Sequence, residues 1–211
     1  MVYYAVLFDM DGVLIDTHEP VTRFWQEMAG RYGVTISEAD FTRHVYGCPS
    51  EHTLAVLFSH LSAAECQGIL DYADEFEARV TYTPLPGVLD LLRGLQAHGI
   101  PTALVTSGNR QKVRSVARDL PLDGLFTEQV TKEDVPHGKP DPAGYREAAQ
   151  RLSVSPEQCI VFEDSVAGVR AAVAAGAFCV GVRPADTATA LHEVGARHAI
   201  TDFSAVRLNG E

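Results

Sequence analysis

Short apolar segments alternate with amphipathic helical segments along most of this 211-residue chain. The apolar segments contain few polar side chains, unlike the in–out alternation of a strand with one solvent-facing side. They span residues 4–8, 102–106, 159–163, 178–182 and 198–201. Between them, apolar residues recur with helical spacing, as in Val88, Leu91, Leu92 and Leu95. The alternation predicts an α/β fold built on a doubly wound parallel sheet with right-handed crossovers.

Residues 17–84 interrupt this alternation, because they contain helical stripes and no recognisable strand. One stripe includes Phe24 and Trp25, and Ser62 with Glu65 forms the capping box of a later helix. A segment with two prolines and a glycine, residues 83–87, returns the chain to the alternating pattern. We therefore predict an α/β core at 1–16 and 85–211 and an inserted helical cap domain at 17–84. Asp16 is expected to cap the first inserted helix.

Composition narrows the class of protein. The formal charge of −11, from 17 basic and 28 acidic residues, argues against a nucleic-acid-binding protein. The N-terminus lacks the basic segment of a signal peptide, and the apolar stretch at 171–182 is too short to span a bilayer. The four cysteines form no Cys-x-x-Cys pair, so we expect reduced thiols. A cytoplasmic protein with no nucleic-acid or membrane partner is expected, and we also expect a monomer.

Polar residues follow several of the predicted strands. Asp9 and Asp11 come after the first, residues 106–109 after the second, and Asp164 directly after 159–163, while Lys139 precedes a predicted helix. Because ligands bind at the carboxyl ends of strands in open α/β sheets, these side chains are expected to converge. Taken singly, most have a simpler explanation as helix caps or as a solvated surface charge. Asp141 and Asn109 in particular fit the cap position of the helices that follow them.

The pair Asp9 and Asp11 is harder to explain structurally. Side chains two positions apart in an extended segment point to the same side, so the two carboxylates face one another with Asp164 nearby. Without a cation, such a cluster is self-repelling and costly to bury. An all-oxygen set of ligands selects a hard cation, and Mg2+ is the usual ion where phosphate is also bound. The sequence therefore predicts a Mg2+ site.

Four motifs in a fixed order resemble those of the haloacid dehalogenase (HAD) superfamily. They are FDMDGVLID at 8–16, LVTSG at 104–108, GKPDP at 138–142 and VFEDSVAGV at 161–169. The inserted helical segment is similar to the C1-type cap of that family, and the resemblance covers essentially the whole chain. It implies a Rossmann-like core, phosphoryl transfer through an aspartyl phosphate, and a small-molecule phosphate ester as substrate.

The resemblance also implies a role for each matching residue. Asp9 corresponds to the nucleophile, and Asp11 to the general acid that protonates the leaving alcohol and then activates water. The implied phosphate-binding residues are Thr106, Ser107, Gly108, Asn109 and Lys139. The implied metal ligands are Asp9, the backbone carbonyl of Asp11, Asp164 and Glu163, with Glu163 either a direct ligand or a neighbour of the ligands.

Within the superfamily, the residues favour some branches over others. Haloacid dehalogenases do not use the second aspartate, so Asp11 favours phosphoryl transfer. Phosphonate-cleaving members use a cap lysine, and residues 17–84 contain none. β-Phosphoglucomutase-like mutases resemble the chain but carry an arginine where it has Ser50. The leading hypothesis is a Mg2+-dependent phosphatase of a small phosphorylated sugar or polyol. A mutase is the alternative, and a non-enzymatic phospho-aspartate switch, as in receiver domains, is a remote one.

Overall fold

The structure is a computed structural model that describes residues 3–184 and 187–208. Contacts between Cα atoms divide the chain into two compact units, Met1–Asp16 with Tyr82–Glu211, and Thr17–Thr81. Residues 82–84, expected in the inserted segment, thus group with the first unit. The backbone explains this, because the N–H of Asp16 donates to the carbonyl of Thr83 at 3.0 Å and Ile15 forms an antiparallel bridge with Pro84.

The first unit contains one six-stranded parallel sheet among its described residues. Its strands are β1 Ala5–Phe8, β2 Thr102–Val105, β3 Glu128–Val130, β4 Cys159–Glu163, β5 Phe178–Val182 and β6 His198–Ile200. Their order across the sheet is β3-β2-β1-β4-β5-β6, so the direction of winding reverses between β1 and β4. The prediction of a doubly wound, Rossmann-like sheet is confirmed, and its reversal point is where such sheets bind ligands.

Both faces of the sheet are covered. Leu7 packs with Tyr145 and Val161 in the core on one face. Its neighbour Phe8 points to the other face, where its ring stacks on Phe162 with ring centres 5.3 Å apart. All four residues of β1 are buried, which explains why the strand sequence is apolar throughout.

The second unit is helical in its regular elements. These are α1 His18–Tyr32, α2 Glu38–Asp40, a π-helical turn Phe41–Val45, α3 Ser50–Leu57 and α4 Ala63–Glu77. They enclose a core of their own that includes Trp25, Met28, Phe58 and Ile69. The predicted capping box of Ser62 and Glu65 begins α4. The cap position of α1 is Thr17, one residue after the predicted Asp16, and the Thr17 side chain makes no capping hydrogen bond.

The remaining helices lie in the first unit. They are α5 Val88–Ala97, α6 Arg110–Asp119, α7 Ala143–Arg151, α8 Val166–Ala175 and α9 Thr189–Glu193, with single 3-10 turns at Lys132–Asp134 and Pro156–Gln158. Helix α7 packs on β1, β2 and β3, and α8 packs on β4 and β5. The cap prediction for Asn109 is confirmed, since its Oδ1 accepts from the N–H of Lys112 at 2.8 Å. The prediction for Asp141 is off by one residue: Pro142 holds the cap position, and Asp141 accepts from the N–H of Ala143.

The sequence analysis missed β3, a three-residue edge strand of which only Val130 is buried. All four cysteines are free thiols, two of them buried and two half-buried. Across the described ranges, no helix combines the length and the apolar character that crossing a membrane requires.

Candidate active site

The pairing of β1 with β4 brings the predicted carboxylates together. Phe8 lies opposite Phe162 in the parallel register, and the N–H of Asp9 donates to the carbonyl of Phe162 at 3.0 Å. Asp9 therefore lies beside the end of β4. Glu163 is the last residue of this strand, and Asp164 follows it. Carboxylate oxygens of these three residues lie within 4.8 Å of one another, in the only such acidic cluster among residues 3–184 and 187–208.

The turn after β1 makes room for Asp164. The carbonyl of Met10 accepts from the N–H groups of Leu14 at 2.9 Å and Ile15 at 3.0 Å, which folds the chain back tightly. Gly12 adopts a φ of +71°, and a Cβ at this position would lie 2.4 Å from Oδ2 of Asp164. Only glycine satisfies both the backbone conformation and this close approach.

Lys139 is bound by three acceptors at the centre of the site. Its Nζ donates to Oδ1 of Asp9 at 2.5 Å, to Oε1 of Glu163 at 2.6 Å and to the carbonyl of Val105 at 3.0 Å. An ammonium group has three N–H donors, so each has a partner. The lysine side chain is only 11% exposed, and its charge is fixed in position against the nucleophile candidate Asp9.

Glu163 is fully buried, and each of its carboxylate oxygens accepts two hydrogen bonds. Oε1 accepts from Lys139 and from the hydroxyl of Tyr145 at 2.9 Å. Oε2 accepts from the N–H of Ser165 at 3.0 Å and from its hydroxyl at 3.1 Å. A carboxylate offers about four lone-pair positions, so these donors fill them. The distances alone would allow Glu163 to bind a metal, but the hydrogen bonds favour a role in positioning Lys139.

Burial in the absence of a metal ion favours the neutral forms of Asp9 and Asp164. Desolvation raises the pKa of Asp9 to about 7, against the opposing effect of Lys139. Desolvation, together with the charges of Glu163 and Asp9, also holds the pKa of Asp164 well above its usual range. The pKa of Lys139 is raised, because Asp9 and Glu163 outweigh the lowering effect of its own burial. A divalent cation between Asp9 and Asp164 would reverse the preference for their neutral forms, so this donor set fits a hard metal ion.

The predicted phosphate-binding segment follows β2 at the same edge of the sheet. The Thr106 hydroxyl is buried and accepts from the N–H of Gly108 at 2.9 Å. That N–H, expected to face a phosphate, therefore has a partner within the loop. Ser107 is exposed, and Asn109 acts as the helix cap described above. Because the Thr106 oxygen acts as the acceptor in this contact, its hydroxyl hydrogen remains available to a further acceptor.

Asp11 lies apart from the three-carboxylate cluster and has a different partner. Its Oδ1 forms an ion pair of 2.9 Å with Nζ of Lys112, and its side chain is 35% exposed. The sequence analysis assigned no role to Lys112. The one available signal was its place in the first turn of the helix that follows the phosphate-binding segment. Tyr145 also had no predicted role in the site, although its hydroxyl donates to Oε1 of Glu163.

Comparison with known proteins identifies the family of this chain. The family model of the haloacid dehalogenase-like hydrolases matches residues 3–176. The chain belongs to this family of hydrolases.

Curated relatives define the class of enzyme more closely. Validoxylamine A 7'-phosphate phosphatase of Streptomyces hygroscopicus subsp. limoneus is 34% identical over 90% of this chain and 91% of its own length. Hexitol phosphatase A of Escherichia coli (strain K12) is 36% identical over 86% of this chain and 84% of its own. A HAD family hydrolase from Deinococcus radiodurans R1, solved with bound phosphate and sodium, is 29% identical with a TM-score of 0.77, covering 94% of this chain and 90% of its own. The protein is an enzyme, a phosphoric monoester hydrolase.

Proposed function

We propose that this enzyme is a Mg2+-dependent phosphatase that hydrolyses a small phosphorylated sugar or polyol through an aspartyl phosphate on Asp9. The observation that carries the proposal is the environment of Asp9. One of its carboxylate oxygens is bound to Lys139, and carboxylate oxygens of Asp9, Glu163 and Asp164 lie within 4.8 Å of one another, a donor set that could hold a cation. The names of two relatives, Hexitol phosphatase A and Validoxylamine A 7'-phosphate phosphatase, support the substrate class.

The residues divide the reaction between them. A carboxylate oxygen of Asp9 attacks phosphorus, and the bond from phosphorus to the substrate oxygen breaks. Asp11 donates a proton to the departing alkoxide, so that a neutral alcohol leaves. Asp11, now ionised, then removes a proton from a water molecule that attacks the phosphoryl group, which releases inorganic phosphate and restores Asp9.

Lys139 and Thr106 support the phosphoryl group. The ammonium of Lys139 lowers the repulsion between Asp9 and an incoming anionic phosphate, since a carboxylate and a phosphate repel at close range. The Thr106 hydroxyl accepts from Gly108, so its hydrogen is available to a phosphoryl oxygen.

We assign the metal ligands to Asp9, the backbone carbonyl of Asp11, and Asp164. A bound Mg2+ supplies positive charge that offsets the charge on the phosphoryl oxygens. Glu163 acts instead as the residue that orients Lys139, because four hydrogen bonds occupy its oxygens.

We also propose that the inserted helical segment, predicted as a cap at 17–84, selects the substrate. This proposal is supported by the separate core of the unit Thr17–Thr81 and by the family resemblance. Alanine substitutions in this unit should change the relative kcat/KM values across substrates. A pattern that stays the same through a scan of its polar residues would contradict the assignment.

A substrate panel tests the proposed function. Phosphate release is measured for glycerol 3-phosphate, glucose 6-phosphate, fructose 1-phosphate, sorbitol 6-phosphate and p-nitrophenyl phosphate, with and without Mg2+. We expect release from at least one sugar or polyol ester that stops without Mg2+ and in Asp9→Asn. Isomerisation that requires a bisphosphate activator would favour the mutase instead. A phosphorylated enzyme that persists without turnover would favour the phospho-aspartate switch.

A further inference from the structure

We propose that Lys112 is a positioning residue that fixes the carboxylate of Asp11 for proton transfer to the leaving alcohol. The inference rests on the proposed function, because it concerns the residue assigned there as general acid. The structural basis is the ion pair of 2.9 Å between Nζ of Lys112 and Oδ1 of Asp11.

The position of Lys112 is set by the segment that precedes it. Asn109 caps α6 by accepting from the backbone N–H of Lys112 itself at 2.8 Å. The cap fixes where the helix begins and therefore where its first turn places the lysine. The side chain is only 14% exposed, although Arg110 and Gln111 beside it on the same turn are exposed.

Gly108 provides the space through which the lysine reaches Asp11. A Cβ on Gly108 would lie 3.2 Å from Cδ of Lys112 and 3.1 Å from Cε of Met10. The aliphatic part of Lys112 therefore passes over the phosphate-binding segment at the one residue without a side chain. A surface lysine has no need of such a path, so the geometry indicates a specific pairing with Asp11.

The pairing leaves the two oxygens of Asp11 unequal. Lys112 holds Oδ1, which leaves Oδ2 as the oxygen available to the substrate oxygen. A half-exposed carboxylate without this anchor would sample several rotamers, and loss of alignment by about 1 Å can cost about 100-fold in rate. The anchor thus supplies orientation to a residue that burial does not fix.

Leaving-group dependence tests the proposal. Lys112→Met removes the charge but keeps the length of the side chain, and Lys112→Arg keeps a cation. We compare kcat/KM for the fastest alkyl phosphate of the panel with kcat/KM for p-nitrophenyl phosphate. For each substrate, kcat/KM reports on the steps up to departure of the leaving group. Because p-nitrophenolate departs without protonation, its kcat/KM does not depend on the general acid.

For Lys112→Met, we expect kcat/KM to fall by about 10–100-fold on the alkyl phosphate and by less than about threefold on p-nitrophenyl phosphate. Complete removal of general acid catalysis typically lowers the rate by about 100–10,000-fold, and misalignment of the acid should remove only part of it. Lys112→Arg should recover most of the alkyl activity. Lys132→Met, which removes an exposed lysine charge in the same unit, is the matched control and should leave both values unchanged.

Equal losses on both substrates would overturn the inference, because they would mean that Lys112 contacts the phosphate itself. Unchanged kcat/KM on both would overturn it as well. A crystal structure of Lys112→Met gives a readout independent of activity: we expect the Asp11 carboxylate displaced or in several rotamers, and an unmoved carboxylate would contradict the proposal. Failure of the proposed function is distinguishable, because wild-type enzyme would then hydrolyse neither class of ester.

Discussion

Replacement of Gly168 by alanine should damage the site although it adds a better helix former. Gly168 lies inside α8, and a Cβ there would be 1.7 Å from Oε1 and 2.2 Å from Oε2 of Glu163. To restore ordinary contact, the carboxylate would have to move by about 1.7 Å, since apolar carbon and oxygen do not approach much below 3.4 Å. That shift exceeds the tolerance of its hydrogen bonds to Lys139, Tyr145 and Ser165.

The two energetic effects of the substitution oppose each other. Alanine in a helix interior is favoured over glycine by about 1 kcal/mol. Separating a buried carboxylate from its lysine typically costs about 3–5 kcal/mol, because it leaves buried charge uncompensated. The net expectation is a destabilisation of about 2–4 kcal/mol, which corresponds to a Tm lower by roughly 5–15 °C for a chain of this size. Lys139 also loses one of the acceptors that hold it beside Asp9, so kcat should fall.

Calorimetry and phosphate release on purified Gly168→Ala measure both effects. Gly68→Ala is the matched control, because Gly68 lies within α4 and an added Cβ there would meet nothing within 4 Å beyond its chain neighbours and the backbone of its own helix. This control should be more stable than wild type by about 0.5–1 kcal/mol and fully active. If Gly168→Ala is as stable and as active as wild type, the packing of Glu163 against α8 is not what holds Lys139, and the account of the site is wrong.

Three further predictions concern the carboxylate side chains of Asp164, Asp9 and Asp134. Asp164→Asn should weaken Mg2+ binding by at least about tenfold, measured by titration calorimetry, because a charged ligand becomes a neutral one. Burial raises the pKa of Asp9 to about 7 and also raises the pKa of Asp164, and a metal must displace both protons, so Mg2+ affinity should rise with pH through about 7; an affinity that is flat between about pH 5.5 and 8 would contradict this. Asp134→Asn should destabilise the protein by about 1–3 kcal/mol near neutral pH. Hydrogen bonds from Thr131 lower the pKa of Asp134, so its contribution exists above the unfolded pKa of about 3.9 and the difference from wild type should narrow as pH falls below that value.

The sequence predicted the sheet and the convergence of the site because both depend on local patterns. The apolar strand segments, the cap residue Asn109 and the aspartates of FDMDGVLID are all visible without tertiary information. Edge strand β3 was not predicted, because a three-residue strand with one buried side chain is too short to show a hydrophobic pattern. The backbone hydrogen bond of Asp16 to Thr83 could not be predicted, because its partner lies far along the chain.

The roles within the site required geometry. Sequence motifs place Glu163 beside Asp164, but only the structure shows its oxygens filled by Lys139, Tyr145 and Ser165. The ion pair of Lys112 with Asp11 was likewise invisible, since its two members lie in different motifs and meet through the path over Gly108. Pairings between distant residues depend on the fold, whereas ligand types and caps depend on the local sequence.

Phosphorylation of Asp9 during turnover can be measured by a rapid acid quench. Enzyme is mixed with Mg2+ and the fastest sugar phosphate of the panel, quenched in acid at low temperature, digested and analysed by mass spectrometry. We expect one added phosphoryl group on the peptide that contains Asp9, which forms only with Mg2+ and precedes the release of inorganic phosphate. Phosphate release with no phosphorylated peptide at any quench time, together with turnover in Asp9→Asn, would contradict it.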